Sequence, residues 1–198
     1  RRQRQMCIRD RFLHQVPPGS SLAVLFEKPS TRTRVSFEVG MFELGGHAVI
    51  LDSKEMQISR GESPEDTAKA LSLFCGAIAA RVFSHETLLK YAAVASVPVI
   101  NALSDLYHPC QTLADFQTIK QYKRKLKGLK IAWIGDGNNV CNSFLVGASL
   151  AGANMMVACP RKYAPYSGAL SIANRQASVS GSKIEVTDSA RAAAVNAD

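Results

Sequence analysis

The sequence lacks the cysteine patterns that disulfide frameworks and zinc sites require. Its five cysteines are odd in number and scattered, and no two of them form a Cys-x-x-Cys pair. A disulfide framework uses an even set and a zinc site uses closely spaced pairs, so the sequence argues against both. Unpaired cysteines are typical of a reducing compartment, and we expect a cytoplasmic protein that binds no metal.

Long apolar runs are also missing. No stretch of 18 apolar residues occurs, although 46% of the 198 residues are hydrophobic. The sequence therefore predicts one or two domains with a buried core, without a segment that spans a membrane.

Basic charge is confined to two segments. The formal net charge is +8, but residues 1–11 contribute +4 and residues 120–130 contribute +6, so the remaining residues sum to −2. One basic cluster without interleaved aromatic residues is a weak sign of nucleic-acid binding. We expect residues 120–130 to form a solvated interdomain segment, and we expect no nucleic-acid partner.

The first basic segment, RRQRQMCIRDR, has no apolar periodicity. It resembles a translated sequencing adapter, so we treat residues 1–11 as a non-native segment outside the domains. A genuine basic arm is the alternative.

Apolar strands alternate with capped helices along the rest of the chain. This alternation predicts an α/β fold of two open parallel-sheet domains, at 12–119 and 131–198, with the second sheet unfinished at residue 198. Residues 52–62 are polar and predict a loop. Strands are expected at 22–26, 47–51, 77–82, 97–101, 131–134, 155–158 and 184–186; helices are expected after Ser30, at 67–75, 86–95, from Pro109, at 140–151 and at 189–195.

The turn after the first strand has the composition of an anion site. Arg32 and Arg34 fall in the first turn of the helix that carries Val35, Val39 and Phe42 on one apolar face. Cations are unfavourable at this positive end of the helix dipole unless an anion neutralises them. Free N–H groups, a guanidinium and nearby hydroxyls suit a phosphate. Those hydroxyls belong to Ser30, Thr31 and Thr33. A solvated, well-capped helix start is the alternative.

Further polar residues follow the third and fourth strands. Arg81 ends the third strand, and His108 and Gln111 follow the fourth. Ligands bind at the carboxyl ends of parallel strands, and Pro109 keeps His108 out of helical geometry. A histidine and an amide there suit a polarised carbonyl beside a phosphate. Taken singly, such an arginine is as often a surface residue, and a lone histidine is usually structural.

The later segment GDGNNV resembles the start of a dinucleotide-binding fold but lacks its third glycine. No acidic residue lies near positions 155–160 either, so no dinucleotide cofactor is expected. The turn carries amides instead. Asn139 either binds a polar ligand or takes a left-handed turn conformation.

Two motifs together resemble a known family. FEKPSTRTR and HPCQTLAD, about 75 residues apart, resemble the paired signatures of the aspartate and ornithine carbamoyltransferase superfamily, over about residues 12–198. The resemblance implies a catalytic role for Arg32, Arg81 and His108. It also implies carbamoyl phosphate binding by Ser30, Thr31, Arg32, Thr33, Gln57, Arg81, His108 and Gln111.

GDGNNVCNS resembles the ornithine-type members, which implies that Asn139 binds L-ornithine. The implied reaction is carbamoyl transfer from carbamoyl phosphate to ornithine, giving citrulline and phosphate without a cofactor. A related enzyme using putrescine, acetylornithine or aspartate, and a non-catalytic phosphate-binding module, are the alternatives.

The resemblance also implies a homotrimer in which a loop of the neighbouring subunit completes the active site. Gln57 matches the glutamine of that loop; taken alone, it reads as a surface amide. Members of the family carry further substrate loops after the part that resembles residues 12–198. The resemblance therefore implies that full activity needs a protein longer than these 198 residues.

Overall fold

The structure is a computed structural model, and it describes residues 16–198. In that range, seven strands alternate with seven α-helices. They form two compact units that divide between Ala102 and Leu103. The predicted α/β class is confirmed. The expectations for residues 1–11 and for Cys7 lie outside the described residues.

The first unit is built on a four-stranded sheet in the order β2-β1-β3-β4. Strand β1 pairs in parallel with β2 and β3. Its residues 22–26 are buried, as expected for a central strand read from an apolar run. The elements are β1 Ser21–Phe26, α1 Thr31–Glu43, β2 His47–Asp52, a 3-10 helix Gln57–Arg60, α2 Pro64–Phe74, β3 Ala77–Arg81, α3 His85–Val94 and β4 Val99–Leu103.

Helix α1 packs on the sheet through a stripe other than its most apolar one. Val35, Val39 and Phe42 are 52%, 46% and 80% exposed. Phe37 and Met41 pack instead against the core around β1 and β2. Both sets have helical spacing, so the pattern alone could not tell which stripe faces the sheet.

The second unit contains a parallel three-stranded sheet in the order β5-β6-β7. Its elements are α4 Pro109–Lys123, β5 Lys130–Ile134, α5 Asn139–Ala151, β6 Asn154–Ala158, a 3-10 helix Arg161–Tyr163, α6 Ser167–Ser180, β7 Ile184–Thr187 and α7 Ala190–Ala194. Helix α4, which the sequence pattern assigns to the first domain, packs on α5 in this unit. The Phe116 and Phe144 rings meet edge-on, with centroids 4.9 Å apart.

Helix α6 was not predicted from the sequence. Its buried residues are all alanine, at positions 169, 173 and 177, a four-residue spacing that places them on one face. Small side chains allow α6 to lie against α5, whose own side chains are mostly buried. The segment was missed because its other positions are mainly serine and polar residues.

Among residues 16–198, no helix combines the length and the apolar character needed to cross a bilayer. The longest, α4, has 15 residues, whereas a span needs about 20 apolar ones.

Candidate active site

Ser30 caps helix α1 and shapes its first turn. It has extended backbone angles, and its Oγ accepts from the Thr33 N–H at 3.4 Å. The first helical hydrogen bond runs from Arg34 N to Ser30 O at 3.1 Å. The N–H groups of Thr31 and Arg32 therefore have no acceptor within the helix and are available to an anion.

Arg81 reaches the same turn from the neighbouring strand. It pairs in register with Phe26, so the ends of β1 and β3 lie side by side. Its Nη1 donates to Thr33 Oγ1 at 3.4 Å, and the same oxygen accepts from Ser30 Oγ at 2.9 Å. The predicted residues Ser30, Thr33 and Arg81 thus form one hydrogen-bonded group.

Two positive charges, those of Arg32 and Arg81, lie at this turn. Burial, and second the charge of Arg32, hold the pKa of Arg81 below its ordinary value. Among the described residues, neither arginine forms a salt bridge, and the buried Nε of Arg81 has no hydrogen-bond partner. Two nearby cations with spare donors are stabilised by an anion, and an arginine fork matches phosphate oxygens.

Two other residues near the turn are arranged differently. Arg34 pairs with Glu38 at 3.9 Å on the exposed side of α1. Gln57 begins the 3-10 helix with an exposed side chain, and no hydrogen bond joins it to the group at Ser30 in the described structure. An open pocket of about 400 Å³ lies between the start of α1 and the end of β2, with Thr31 and Asp52 in its lining.

In the second unit, His108 stands at the N-cap of α4. Its φ of −138° and ψ of 68° are non-helical, as Pro109 predicts, and its side chain is half-buried. Gln111 lies in the first turn of α4, and its Nε2 donates to Asp115 Oδ1 at 2.9 Å. That bond fixes the amide and leaves its carbonyl oxygen as an acceptor.

The two asparagines of the GDGNN turn have separate roles. Asn138 is the N-cap of α5, and its Oδ1 accepts from the N–H groups of Val140 and Cys141. Asn139 is the first helical residue and does not have a positive φ, so the left-handed alternative is wrong. Its Nδ2 donates to the Ser104 carbonyl at 2.7 Å.

Two further residues of α5 bind the segment before His108, and the sequence reading missed them. Asn142 Nδ2 donates to the Leu106 carbonyl at 3.1 Å. Ser143 Oγ accepts from the His108 N–H at 2.7 Å. The available signal was two adjacent polar residues, one helical turn after Asn139, in an otherwise apolar helix.

The described cysteines are free thiols. They are Cys75, Cys110, Cys141 and Cys159. Burial, with smaller contributions from Cys159 and Asp136, raises the pKa of Cys141 to about 12. The part of the chain that the structure describes contains no group of three or more His, Cys, Asp or Glu residues placed to hold a metal ion.

The structure is that of an α/β protein of two compact units, with two arginines gathered at the strand-to-helix turn of the first unit. Residues 3–121 match a family model described as the aspartate/ornithine carbamoyltransferase carbamoyl-P binding domain. Residues 127–198 match the Asp/Orn binding domain of the same family. The chain belongs to the aspartate/ornithine carbamoyltransferase family, as the motifs predicted.

Individual relatives are ornithine carbamoyltransferases. The one from Methanosarcina acetivorans is 52% identical over 180 residues, which are 91% of this chain and 58% of the relative. The one from Cenarchaeum symbiosum is 59% identical over 150 residues, or 76% of this chain and 50% of the relative. The solved Pyrococcus furiosus enzyme superposes with a TM-score of 0.86 at 44% identity, covering 92% of this chain and 59% of that one. The chain thus spans less than two thirds of the length of these relatives.

Proposed function

We propose that a protein of the relatives' length carrying this sequence transfers the carbamoyl group of carbamoyl phosphate to L-ornithine, giving L-citrulline and phosphate. The observation that carries the proposal is the group of Arg32 and Arg81 at the start of α1, which has spare donors and no carboxylate partner among the described residues. The family match and the names of the relatives support the identities of the two substrates.

The first unit would hold the phosphate. The first-turn N–H groups of α1 and the hydroxyls of Ser30, Thr31 and Thr33 would donate hydrogen bonds to its oxygens. Arg32 and Arg81 would neutralise the charge that the phosphate gains as it leaves. Donors fixed in advance in this way each contribute about 3 to 4 kcal/mol to the transition state.

The second unit would hold the carbamoyl group and the acceptor. We assign the carbamoyl group to His108 and Gln111, and we assign ornithine to Asn139, which keeps one amide hydrogen and its oxygen after binding Ser104. The neutral side-chain amine attacks the carbamoyl carbon, the C–O bond to phosphate breaks, and the proton that the amine loses leaves with the phosphate. Positioning and electrostatic stabilisation of the oxyanion would supply the catalysis.

We also propose a cytoplasmic homotrimer. The exposed Gln57, which in the described part of the chain forms no hydrogen bond with the group at Ser30, is assigned to the active site of a neighbouring subunit. A closed cyclic assembly satisfies every such shared site. The free thiols are consistent with a reducing compartment.

Calorimetry on the 198-residue chain tests the first half of this function. We expect carbamoyl phosphate to bind more tightly than inorganic phosphate at equal ionic strength, because the carbamoyl group adds hydrogen bonds that phosphate lacks. Equal affinities would instead identify a plain phosphate-binding module.

A further inference from the structure

Three side chains of α5 form hydrogen bonds with one short segment, which we call the His108 loop and define as residues 104–108. Asn139 binds the Ser104 carbonyl, Asn142 binds the Leu106 carbonyl, and Ser143 accepts from the His108 N–H. Positions three and four residues apart lie on one face of a helix, so a single face of α5 makes all three bonds.

Two of these side chains are deeply buried. Asn142 is 3% exposed and Ser143 is 6% exposed, and they lie beside the buried Phe144 and Leu145 of the same helix. A buried amide or hydroxyl destabilises the fold unless its hydrogen bonds are satisfied. Apolar residues could fill this space more simply, so the polar pair specifies the backbone geometry of the loop rather than adding core volume.

Asn142 connects the loop to a second segment as well. Its Oδ1 accepts from the Tyr166 N–H at 3.0 Å while its Nδ2 binds Leu106. The loop is also closed on itself, because the Ser104 N–H donates to the Tyr107 carbonyl at 2.9 Å. The loop is thus a compact turn held at several backbone points.

We propose that Asn142 and Ser143 are positioning residues, which fix His108 for its action on the carbamoyl group. The contact at Ser143 is to the backbone N–H of His108, the N-cap of α4, so it fixes the backbone position from which the imidazole extends. This inference rests on the proposed function for its catalytic consequence only. The three hydrogen bonds from α5 to the His108 loop belong to the fold of the second unit.

Amide hydrogen exchange on the 198-residue chain tests the hydrogen bond between Ser143 and the His108 N–H without any substrate. Ser143→Ala removes the acceptor, and we expect the His108 N–H to exchange at least about 10-fold faster. Ser149→Ala is the matched control, because Ser149 is also buried on α5 but its hydroxyl donates to Val146 O within the helix. Ser143→Cys keeps the volume with a poor acceptor and carries the test if Ser143→Ala does not fold.

Turnover by the longer protein tests the positioning role. We expect Ser143→Ala to lower kcat about 10- to 100-fold while changing the KM for carbamoyl phosphate less than about threefold, because a displaced catalytic group affects the transition state more than binding. Ser149→Ala should behave as the unaltered protein.

The outcomes separate the two claims. The positioning proposal is overturned if the His108 N–H exchanges as slowly in both Ser143 variants as in Ser149→Ala. It is also overturned if the Ser143→Ala protein has the same kcat as the Ser149→Ala control. Absence of carbamoyl transfer in the unaltered longer protein overturns the proposed function, and the exchange result still decides whether Ser143 holds His108.

Discussion

Two single residues, Arg81 and Arg32, place positive charge at the start of α1. The pKa of Arg81 is lowered mainly by burial and then by Arg32. A guanidinium remains charged at any physiological pH even when its pKa falls, so the two side chains repel each other at all relevant pH values. An anion at the start of α1 removes that repulsion.

We therefore expect Arg32→Ala to weaken carbamoyl phosphate binding by about 1.5 to 3 kcal/mol, the value of a hydrogen bond to a charged group. Arg34→Ala is the control, since Arg34 is paired with Glu38 at an exposed position and such pairs contribute little. Titration calorimetry measures both. Affinity that falls equally in the two variants would mean general charge rather than a specific phosphate contact.

Residue-level features were predictable where neighbours in the sequence determine them. Proline at position 109 forces His108 out of helical geometry, and a serine before a helix is a good cap, as Ser30 is. The Arg81 bond to Thr33 depends on β3 lying beside β1, and the Asn139 bond to Ser104 depends on a loop 35 positions away. Sequence spacing carries no information on either contact.

At the scale of elements, the Gly135-to-Asn139 turn is fixed by close packing. A Cβ on Gly137 would lie 2.2 Å from the backbone nitrogen of Pro165. The Gly137 N–H also donates to the Tyr163 carbonyl at 2.7 Å. Glycine is required here because the backbone of Ala164 and Pro165 occupies the space that a side chain would fill.

Gly137→Ala should therefore destabilise the chain by about 1 to 3 kcal/mol through a forced backbone shift. Gly40→Ala is the control: nothing lies within 4 Å of its added Cβ, and alanine in a helix interior stabilises by up to about 1 kcal/mol. Urea unfolding gives both values. A Gly137→Ala protein as stable as the control would contradict the packing argument.

Element prediction worked where the pattern was local and failed where packing decided. The buried run of β1 agrees with expectation. The exposed apolar stripe of α1 and the unpredicted α6 depend on which face meets a neighbour. The 3-10 helix Gln57–Arg60 lies inside the expected loop because a single short turn leaves no periodic signal.

At the scale of the whole molecule, the proposed trimer shares each active site between two subunits. If Gln57 acts in the neighbouring site, each site takes Arg32 from one subunit and Gln57 from the next. Arg32→Ala and Gln57→Ala then remove residues that different subunits contribute to the same site. Mixed trimers then contain some sites in which both residues are intact.

Unfolding the two inactive variants of the longer protein together at a 1:1 ratio and refolding them should restore about a quarter of the sites, the fraction expected for random assembly. Steady-state turnover before and after refolding measures this. Each variant refolded alone is the control, and a mixture no more active than those controls would place Gln57 in its own subunit's site or outside any site.

We propose that the amide-bearing turn of the second unit selects ornithine. An amide can meet the α-amino and α-carboxylate groups by hydrogen bonds without attracting a second carboxylate, and buried partners left unpaired by the wrong substrate cost two or more factors of ten. The most direct test is kcat/KM for ornithine and for aspartate, each with saturating carbamoyl phosphate, in the longer protein and in its Asn139→Ala variant. We predict a preference for ornithine of more than about 100-fold, and a variant that needs more ornithine while binding carbamoyl phosphate normally. Aspartate carbamoylated as fast as ornithine, or a variant impaired only in carbamoyl phosphate binding, would show that this turn does not select ornithine.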